Sequence, residues 1–269
     1  MRFTLSDEKG RALDTRTCAV TASAGANTSV ETEWPVGSDA PDYVSFTAEL
    51  LDEKGRVLDR EPGAFVVWSP SVIAAGPKLT QAGSRFALDG RPGFWMGAQT
   101  YWGQTRPTVA RSPMSFHRDF RQMRVMGLRF TRLFLPWTCE EDNRISDACV
   151  QLAQKHGIVI YHTQQSIDPM AEGAAFARQT AHFREIAVRY RDVPGFMIDI
   201  RNEPHMNLPP SWDSAKRMRH WLTSCRAAAR EGRPDVLVSV GWSQGWAGGA
   251  ASKDPAWCTL DLDFTDRHY

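Results

Sequence analysis

From residue 94 onward, apolar runs of strand length at 94–101, 130–135, 158–162, 196–200, 236–240 and 260–264 alternate with segments of helical spacing. This alternation constrains the fold more than any other feature. A strand that returns parallel to its predecessor needs a crossover of about a dozen residues or more, and a helix is the usual way to make it. The helix signals are local. Ser112-Pro113 supplies an N-cap and a first-turn proline, Phe116, Phe120, Met123 and Met126 form one stripe, and Gly127 closes the segment. Further helices are predicted from Ser146 to His156, over 176–190 and over 213–230. A doubly wound sheet and a (β/α) barrel both satisfy the pattern. No Gly-x-Gly-x-x-Gly follows the first run, so the expectation is an α/β barrel whose active face lies at the carboxyl ends of its strands.

Residues 1–70 have a different texture. Stretches rich in Val, Thr, Phe and Tyr at 2–5, 18–22, 29–34, 43–51 and 63–68 are separated by turn-forming clusters, as in an all-β immunoglobulin-like sandwich. Two of those clusters nearly repeat. Asp7-Glu8-Lys9-Gly10-Arg11 and Asp52-Glu53-Lys54-Gly55-Arg56 each place a glycine in a charged turn, the pattern of a hairpin. Residues 71–83 are predicted to be a linker, and 84–269 the barrel domain, entered through a hairpin at 84–92. The aromatics of the first domain, Trp34, Tyr43, Phe46, Phe65 and Trp68, fall mostly in predicted strands that need a core, so that domain is expected to act as a spacer.

Composition narrows the class of partner. Lys and Arg total 32 against 31 Asp and Glu, a net charge of +1, so no global field favours nucleic acid or anionic lipid. A neutral ligand suits the chain better, and ten Trp supply apolar faces of the kind that hold sugar rings. The five cysteines are odd in number and contain no Cys-x-x-Cys pair, which suggests neither a zinc site nor a disulfide framework. No apolar run approaches the ~20 residues that cross a bilayer, and the first ten residues lack a signal-peptide pattern. A soluble protein is expected, with secreted and cytoplasmic locations both open.

Past the ends of the predicted strands stand Tyr101-Trp102, Arg132 with Trp137, Gln164-Gln165, Asn202-Glu203, Trp242 and His268-Tyr269. Aromatic platforms with amides and a guanidinium on one rim are what sugar recognition requires. Glu203 is the most informative of them. A carboxylate at the mouth of a strand, between an amide and the chain-turning Pro204, is placed to give a proton to a departing glycosidic oxygen.

Four motifs fall in one order: Phe86-Ala87-Leu88-Asp89-Gly90 leading to Met96-Gly97, Met126 to Arg132 (Met-Gly-Leu-Arg-Phe-Thr-Arg), Asn202-Glu203-Pro204, and Asp266-Arg267-His268. In these the chain, over about 79–269, resembles the clan A glycoside hydrolases with cellulase-like and mannanase-like (β/α)₈ barrels. The resemblance implies retaining hydrolysis of β-linked saccharides, with Glu203 as acid/base and Asn202 bonding the sugar 2-hydroxyl. It also implies that Arg132 and His268 sit near the nucleophilic carboxylate. Tyr101, Trp102, Trp137, Gln164, Gln165, Trp242 and Tyr269 would line the sugar site. No metal and no cofactor is implied.

The sequence departs from the family in places. The third strand ends Thr163-Gln164-Gln165, with His162 one step before the family's histidine position, and Tyr269 adjoins His268 where a two-residue spacing is usual. The nucleophilic Glu of the family belongs to a seventh strand, beyond residue 269. The chain is therefore expected to be a fragment carrying about six of eight strands and inactive when isolated. The alternative from another class is a non-catalytic carbohydrate-binding or scaffold protein on a decayed barrel. A metal-dependent barrel using His162, Glu203, His205 and His268 is a further one, against which Gln99-Thr100-Tyr101 stands where His-x-His is required.

Overall fold

The computed structural model describes residues 1–21, 25–37, 39–100, 112–134, 140–164, 171–204, 212–243, 262–264 and 266–268, with the backbone alone at 100, 140–142, 212–215, 243, 267 and 268. The chain begins with β1 (Arg2–Ser6), β2 (Ala12–Thr17), β3 (Tyr43–Leu51) and β4 (Val57–Val66), a four-stranded antiparallel sheet in the order β2-β1-β3-β4. The repeated phrases close its two hairpins, each with its glycine in the left-handed region, Gly10 at φ 76° and Gly55 at φ 77°.

The strands predicted at 18–22 and 29–34 do not form among the described residues. Trp34 instead folds back on the sheet, where its indole N–H donates to Asp14 at 2.7 Å and Arg16 lies over its ring. Among the described residues of 1–66 one four-stranded sheet forms, where a two-layered sandwich was expected. One end of it packs on the rest of the molecule through Tyr43, Ala64 and Val66, which join Phe116 and Phe120 in the main core.

The predicted linker is largely ordered structure. It holds α1 (Pro70–Ala74), which buries Ile73, and β5 (Leu79–Ala82), which pairs with β6 (Arg85–Leu88) and β7 (Arg91–Gly93) in a three-stranded antiparallel sheet. Long-range bonds fix it in place: the Ser69 amide donates to Gln151 Oε1 at 2.7 Å, and the Leu79 amide to the Pro194 carbonyl at 3.1 Å.

The third sheet is parallel throughout. It comprises β8 (Gly97–Thr100), β9 (Phe130–Leu133), β10 (Val159–Thr163), β11 (Phe196–Asn202), β12 (Leu237–Ser243) and β13 (Asp266–His268), ordered as they occur in the chain. Strictly sequential order is the winding of a barrel wall, since a doubly wound sheet reverses direction at a switch point. Six strands do not close: β8 and β13 are the two edges among the described residues.

Among the described residues four helices connect the strands, α2 (Pro113–Val125), α3 (Glu140–Lys155), α4 (Gly173–Arg189) and α5 (Trp212–Gly232). The start of α2 is as predicted, with the Ser112 hydroxyl accepting from the Ser115 amide at 3.2 Å and Pro113 in the first turn. By contrast, α3 begins at Glu140, six residues before the Ser146 start expected from sequence.

Strand residues sort by parity. Ile158, Ile160, Phe196, Ile198, Ile200, Val236, Val238 and Val240 share one core with the buried stripes of all four helices, including Phe120, Leu152, Phe183 and Trp221. Val159, Tyr161 and Met197 face the other way, where Leu88, Phe86 and Trp95 of the β6–β7 hairpin meet them. These four described helices therefore lie on one side of the parallel sheet. Its concave side is floored by the hairpin and is otherwise lined by polar residues at the strand ends. No described helix is long and apolar enough to cross a membrane.

Candidate functional site

The concave face carries one interior residue per strand at each level. Gln99, Arg132, Tyr161 and Met197 are register partners across β8 to β11, and Thr163, Asp199 and Ser239 form the next level toward the carboxyl ends. Above them the register slips. Asp199 pairs with Ser239 and Asn202 with Gly241, so three steps along β11 match two along β12. Strict alternation would send Asn202 to the helix side with Ile198 and Ile200. The bulge carries it round to the interior.

Asp199 is the centre of the resulting network. It is fully buried and accepts four hydrogen bonds: from Arg132 Nε at 3.0 Å, from Arg132 Nη2, from Thr163 Oγ1 at 3.0 Å, and from the Gly241 amide at 3.1 Å. All four groups donate, and a neutral carboxyl would have to give one of those positions to its own proton, so the geometry is that of a carboxylate. Burial pushes the Asp199 carboxyl up, against the pull of the Arg132 guanidinium. Burial also works against the charge of Arg132, but Asp199 more than offsets it and raises the guanidinium further.

Arg132 has no freedom left at this site. Besides Asp199 it donates through Nη1 to Gln99 Oε1 at 3.1 Å and to Asn202 Oδ1 at 3.0 Å, with Asp266 Oδ2 3.8 Å from Nε. Its guanidinium carbon lies 5.2 Å from the Phe134 ring centroid and 5.7 Å from that of Tyr161. A guanidinium has only donors, so it fixes Asn202 with the amide oxygen inward and the NH₂ turned away.

Glu203 follows directly. Its backbone is in the left-handed region, φ 46°, which is uncommon for a residue other than glycine and is held by its neighbours. Its amide donates to the Gly241 carbonyl at 2.8 Å, across from β11 to β12. The residue is half-buried, and buried Pro204 follows it.

The predicted site residues divide. Arg132, Asn202 and Glu203 come together as described. Gln164 is buried, and its amide nitrogen lies 3.2 Å from His162 Nε2 on the helix-facing side, while its backbone braces the bulge by donating to the Asp199 carbonyl and accepting from the Asn202 amide. Trp242 has the parity of Val238 and Val240 and packs against the helix-side core. His268 is in β13, its backbone paired with Ser243, and its side chain lies outside the described residues. Tyr101, Trp102, Trp137, Gln165, Tyr269 and His205 also lie outside them.

Sequence reading passed over Asp199, Thr163, Gly241 and Asp266 as members of this network. Asp199 sits inside the run 196–200 and Thr163 one step past the run 158–162, each a polar residue at the parity opposite its apolar neighbours, which is the signal that could have found them. Asp266 begins β13 and faces the same interior as Arg132.

A cavity of about 710 Å³ runs along the concave face from Phe86 and Trp95 at the hairpin to Gln99, Arg132 and Asp266. Asn202 and Glu203 are not in its lining. Among the described residues no three His, Cys, Asp or Glu converge as metal ligands.

No family model matches the sequence, and no curated protein matches it. Solved structures do. A β-glucuronidase from Ruminococcus gnavus, in complex with a C6-substituted uronic isofagomine, superposes with a TM-score of 0.53 at 16% identity, over 100% of this chain and 42% of that one. β-Glucuronidase 3 of Bacteroides uniformis gives 0.54 at 13% identity, over 100% of this chain and 31% of that one. The Parabacteroides merdae β-glucuronidase gives 0.53 at 12%, over the same shares. The chain spans less than half the length of these enzymes, and at such identity the likeness is one of fold. The chain shares its fold with part of each of these β-glucuronidases. These neighbours lend no support to the narrower cellulase-like and mannanase-like resemblance.

Proposed function

We propose that the chain is part of a glycoside hydrolase that cleaves β-linked saccharides with retention, using Glu203 as the acid/base. The observation that carries the proposal is the end of β11. There a bulge, an arginine-oriented amide at Asn202 and a left-handed Glu203 tied to Gly241 stand together on the concave rim of a barrel wall. The fold shared with β-glucuronidases supports the same reading.

In the proposed reaction Glu203 donates a proton to the glycosidic oxygen as a second carboxylate attacks the anomeric carbon. The aglycone leaves and a glycosyl-enzyme ester forms. Glu203, now ionised, takes a proton from water, and that water breaks the ester and restores both carboxyls. Such pairs stand about 5 to 5.5 Å apart. Asp199 cannot be the second group, since both its oxygens are committed within the wall. The proposal draws the nucleophile from sequence after Tyr269, together with the strands that complete the wall. Asn202 would meet the sugar with its NH₂, toward a hydroxyl oxygen.

Aryl β-glycosides assayed on the natural polypeptide test this, with the β-D-glucuronide first because the structural neighbours are β-glucuronidases. Glu203→Gln is expected to lower kcat by about a hundredfold or more while sugar binding survives. Unchanged turnover in that variant removes Glu203 from the chemistry. Sugar binding without turnover in the unmutated protein favours the carbohydrate-binding alternative.

A further inference from the structure

We infer that Asp199 is a positioning residue, a buried carboxylate that sets the orientation of Arg132 through one oxygen and the height of Gly241, and hence of Glu203, through the other. The functional consequence rests on the glycosidase reading above. The structural claim does not.

The two oxygens of Asp199 serve different arms. Oδ2 takes Arg132 Nε, Arg132 Nη2 and Thr163 Oγ1, which joins β9 and β10 to β11. Arg132 then reaches Asn202 Oδ1 through Nη1. Oδ1 takes the Gly241 amide of β12 at 3.1 Å, and the carbonyl of the same residue accepts the Glu203 amide at 2.8 Å. Both residues of the candidate dyad, Asn202 and Glu203, are thus one intervening group away from a single carboxylate.

The bulge explains why a side chain has this task. Where the register of β11 and β12 slips between Asp199 and Asn202, the regular ladder is interrupted, and Asp199 Oδ1 supplies the acceptor for Gly241. The bulge is also what turns Asn202 inward. One residue therefore anchors the irregularity and orients the two side chains that the irregularity exposes.

A carboxylate is required, and the isosteric amide shows why. An asparagine has one accepting end and one donating end. Facing its oxygen to Gly241 turns its NH₂ on the Arg132 guanidinium and Thr163. Facing the oxygen to Arg132 turns the NH₂ on the Gly241 N–H. Either way one arm is lost.

The test compares the unmutated polypeptide with Asp199→Asn, Arg132→Lys, Thr163→Val and Glu203→Gln, reading amide hydrogen exchange without substrate and then kcat and KM on an aryl β-glycoside. Asp199→Asn is expected to speed exchange at Gly241 and Glu203 by about tenfold, with Ile160 and Ile198 in the same sheet changed less than about twofold. It should lower kcat by about a hundredfold with KM nearly unmoved, the mark of misplaced reacting groups. Arg132→Lys keeps a cation but drops the fork, so kcat should fall while exchange at Gly241 and Glu203 stays as it was.

Uniformly faster exchange through β9 to β12, with kcat of the folded protein unchanged, would make Asp199 a structural counter-ion and overturn the inference. If Asp199→Asn fails to fold, Thr163→Val and Arg132→Lys carry the test through the Oδ2 arm alone: a lowered kcat with Gly241 exchange unchanged supports the inference, and an unchanged kcat, or exchange speeded alike at Gly241, Ile160 and Ile198, counts against it. Unchanged turnover in Glu203→Gln strikes the glycosidase reading instead, and the exchange result stands apart from it.

Discussion

In the turn after β1, Asp7 Oδ1 accepts from the Lys9 and Arg11 amides, both at 2.9 Å, and Oδ2 from Arg11 Nε at 2.7 Å. The turn after β3 repeats this with Asp52 Oδ1 accepting from Lys54 at 2.9 Å and Arg56 at 2.8 Å, and Oδ2 from Arg56 Nε at 2.6 Å. Asp199 takes a backbone amide and an arginine fork in the same way, within the parallel sheet. The difference is reach. Partners in the turns lie two and four residues away, whereas those of Asp199 lie 36, 42 and 67 away. A turn can assemble while the rest of the chain is still open. The Asp199 network exists only once four strands are side by side.

Exposure follows reach. The arginine side chains of the turns are 76% and 73% exposed, against 9% for Arg132 and 0% for Asp199. Water screens the first two and is absent from the third. The largest expected effect is therefore at the strand ends. Arg132→Ala leaves the Asp199 charge buried with its main partner gone, at about 3 to 5 kcal/mol of unfolding free energy. Arg56→Ala should hardly move the midpoint of a urea titration. Replacing both members of the inner pair together, Arg132→Met with Asp199→Leu, should recover most of the stability while abolishing the proposed activity. A double variant no more stable than Arg132→Ala would mean that the network stabilises the wall by more than the pairing of its charges.

Acid should separate the regions next. Burial pushes His162, inside the parallel sheet, down to about 3. The folded state resists protonating it while the unfolded chain protonates near 6.5, so its contribution is complete above pH 6.5 and is lost as pH falls from there toward 3. The slope is about 1.4 kcal/mol per pH unit for one such group. In the turns the sign is the same and the window lies lower. Backbone hydrogen bonds from Arg11 and Arg56 hold the Asp7 and Asp52 carboxyls below their ordinary range, so what they contribute is present above about pH 4 and lost only below it. Urea unfolding at pH 7 and pH 5 should show the loss, and His162→Phe should flatten the slope by about 1.4 kcal/mol per pH unit, whatever it does to the value at pH 7. An unaltered slope would mean that His162 does not titrate with unfolding, and would leave the response to His156 and His182, both pushed to about 4, chiefly by burial.

Reach also decides what the sequence could disclose. The hairpin turns, the Ser112-Pro113 start of α2 and the position of Glu203 past β11 are set by neighbours in the chain, and all three are legible there. The runs at 18–22 and 29–34 have the composition of strands yet form none among the described residues, because β-propensity needs a partner edge and Trp34 found Asp14 and Arg16 instead. The stretch 71–83 has the small residues, Pro and Gly of a linker. Ile73 nonetheless found a buried place, and Leu79 a bond to Pro194. At the site, alternation alone puts Gln164 and Trp242 on the helix side. Only the bulge brings Asn202 inward, and it depends on a carboxylate whose partners are dozens of residues distant.

The smallest effect tests the local end of the comparison. Gly10 and Gly55 have the same backbone conformation, φ 76° and 77°, and a Cβ added to either meets nothing within 4 Å. Substitution by alanine therefore strains the backbone without a clash, and each change should cost about 1 kcal/mol. Because each turn is complete within its own five residues, the two costs should be equal and additive in the double variant. Thermal unfolding of the two single variants and the double variant would show it. A marked inequality would mean that the surroundings of one turn bear on it, and they do so physically at the first, where Glu8 beside Asp7 bonds Lys155 of α3 at 2.8 Å while the second turn has no such tie among the described residues. The repeat would then be local in its hydrogen bonds but not in its energetics, and the contrast with Asp199 would become one of degree.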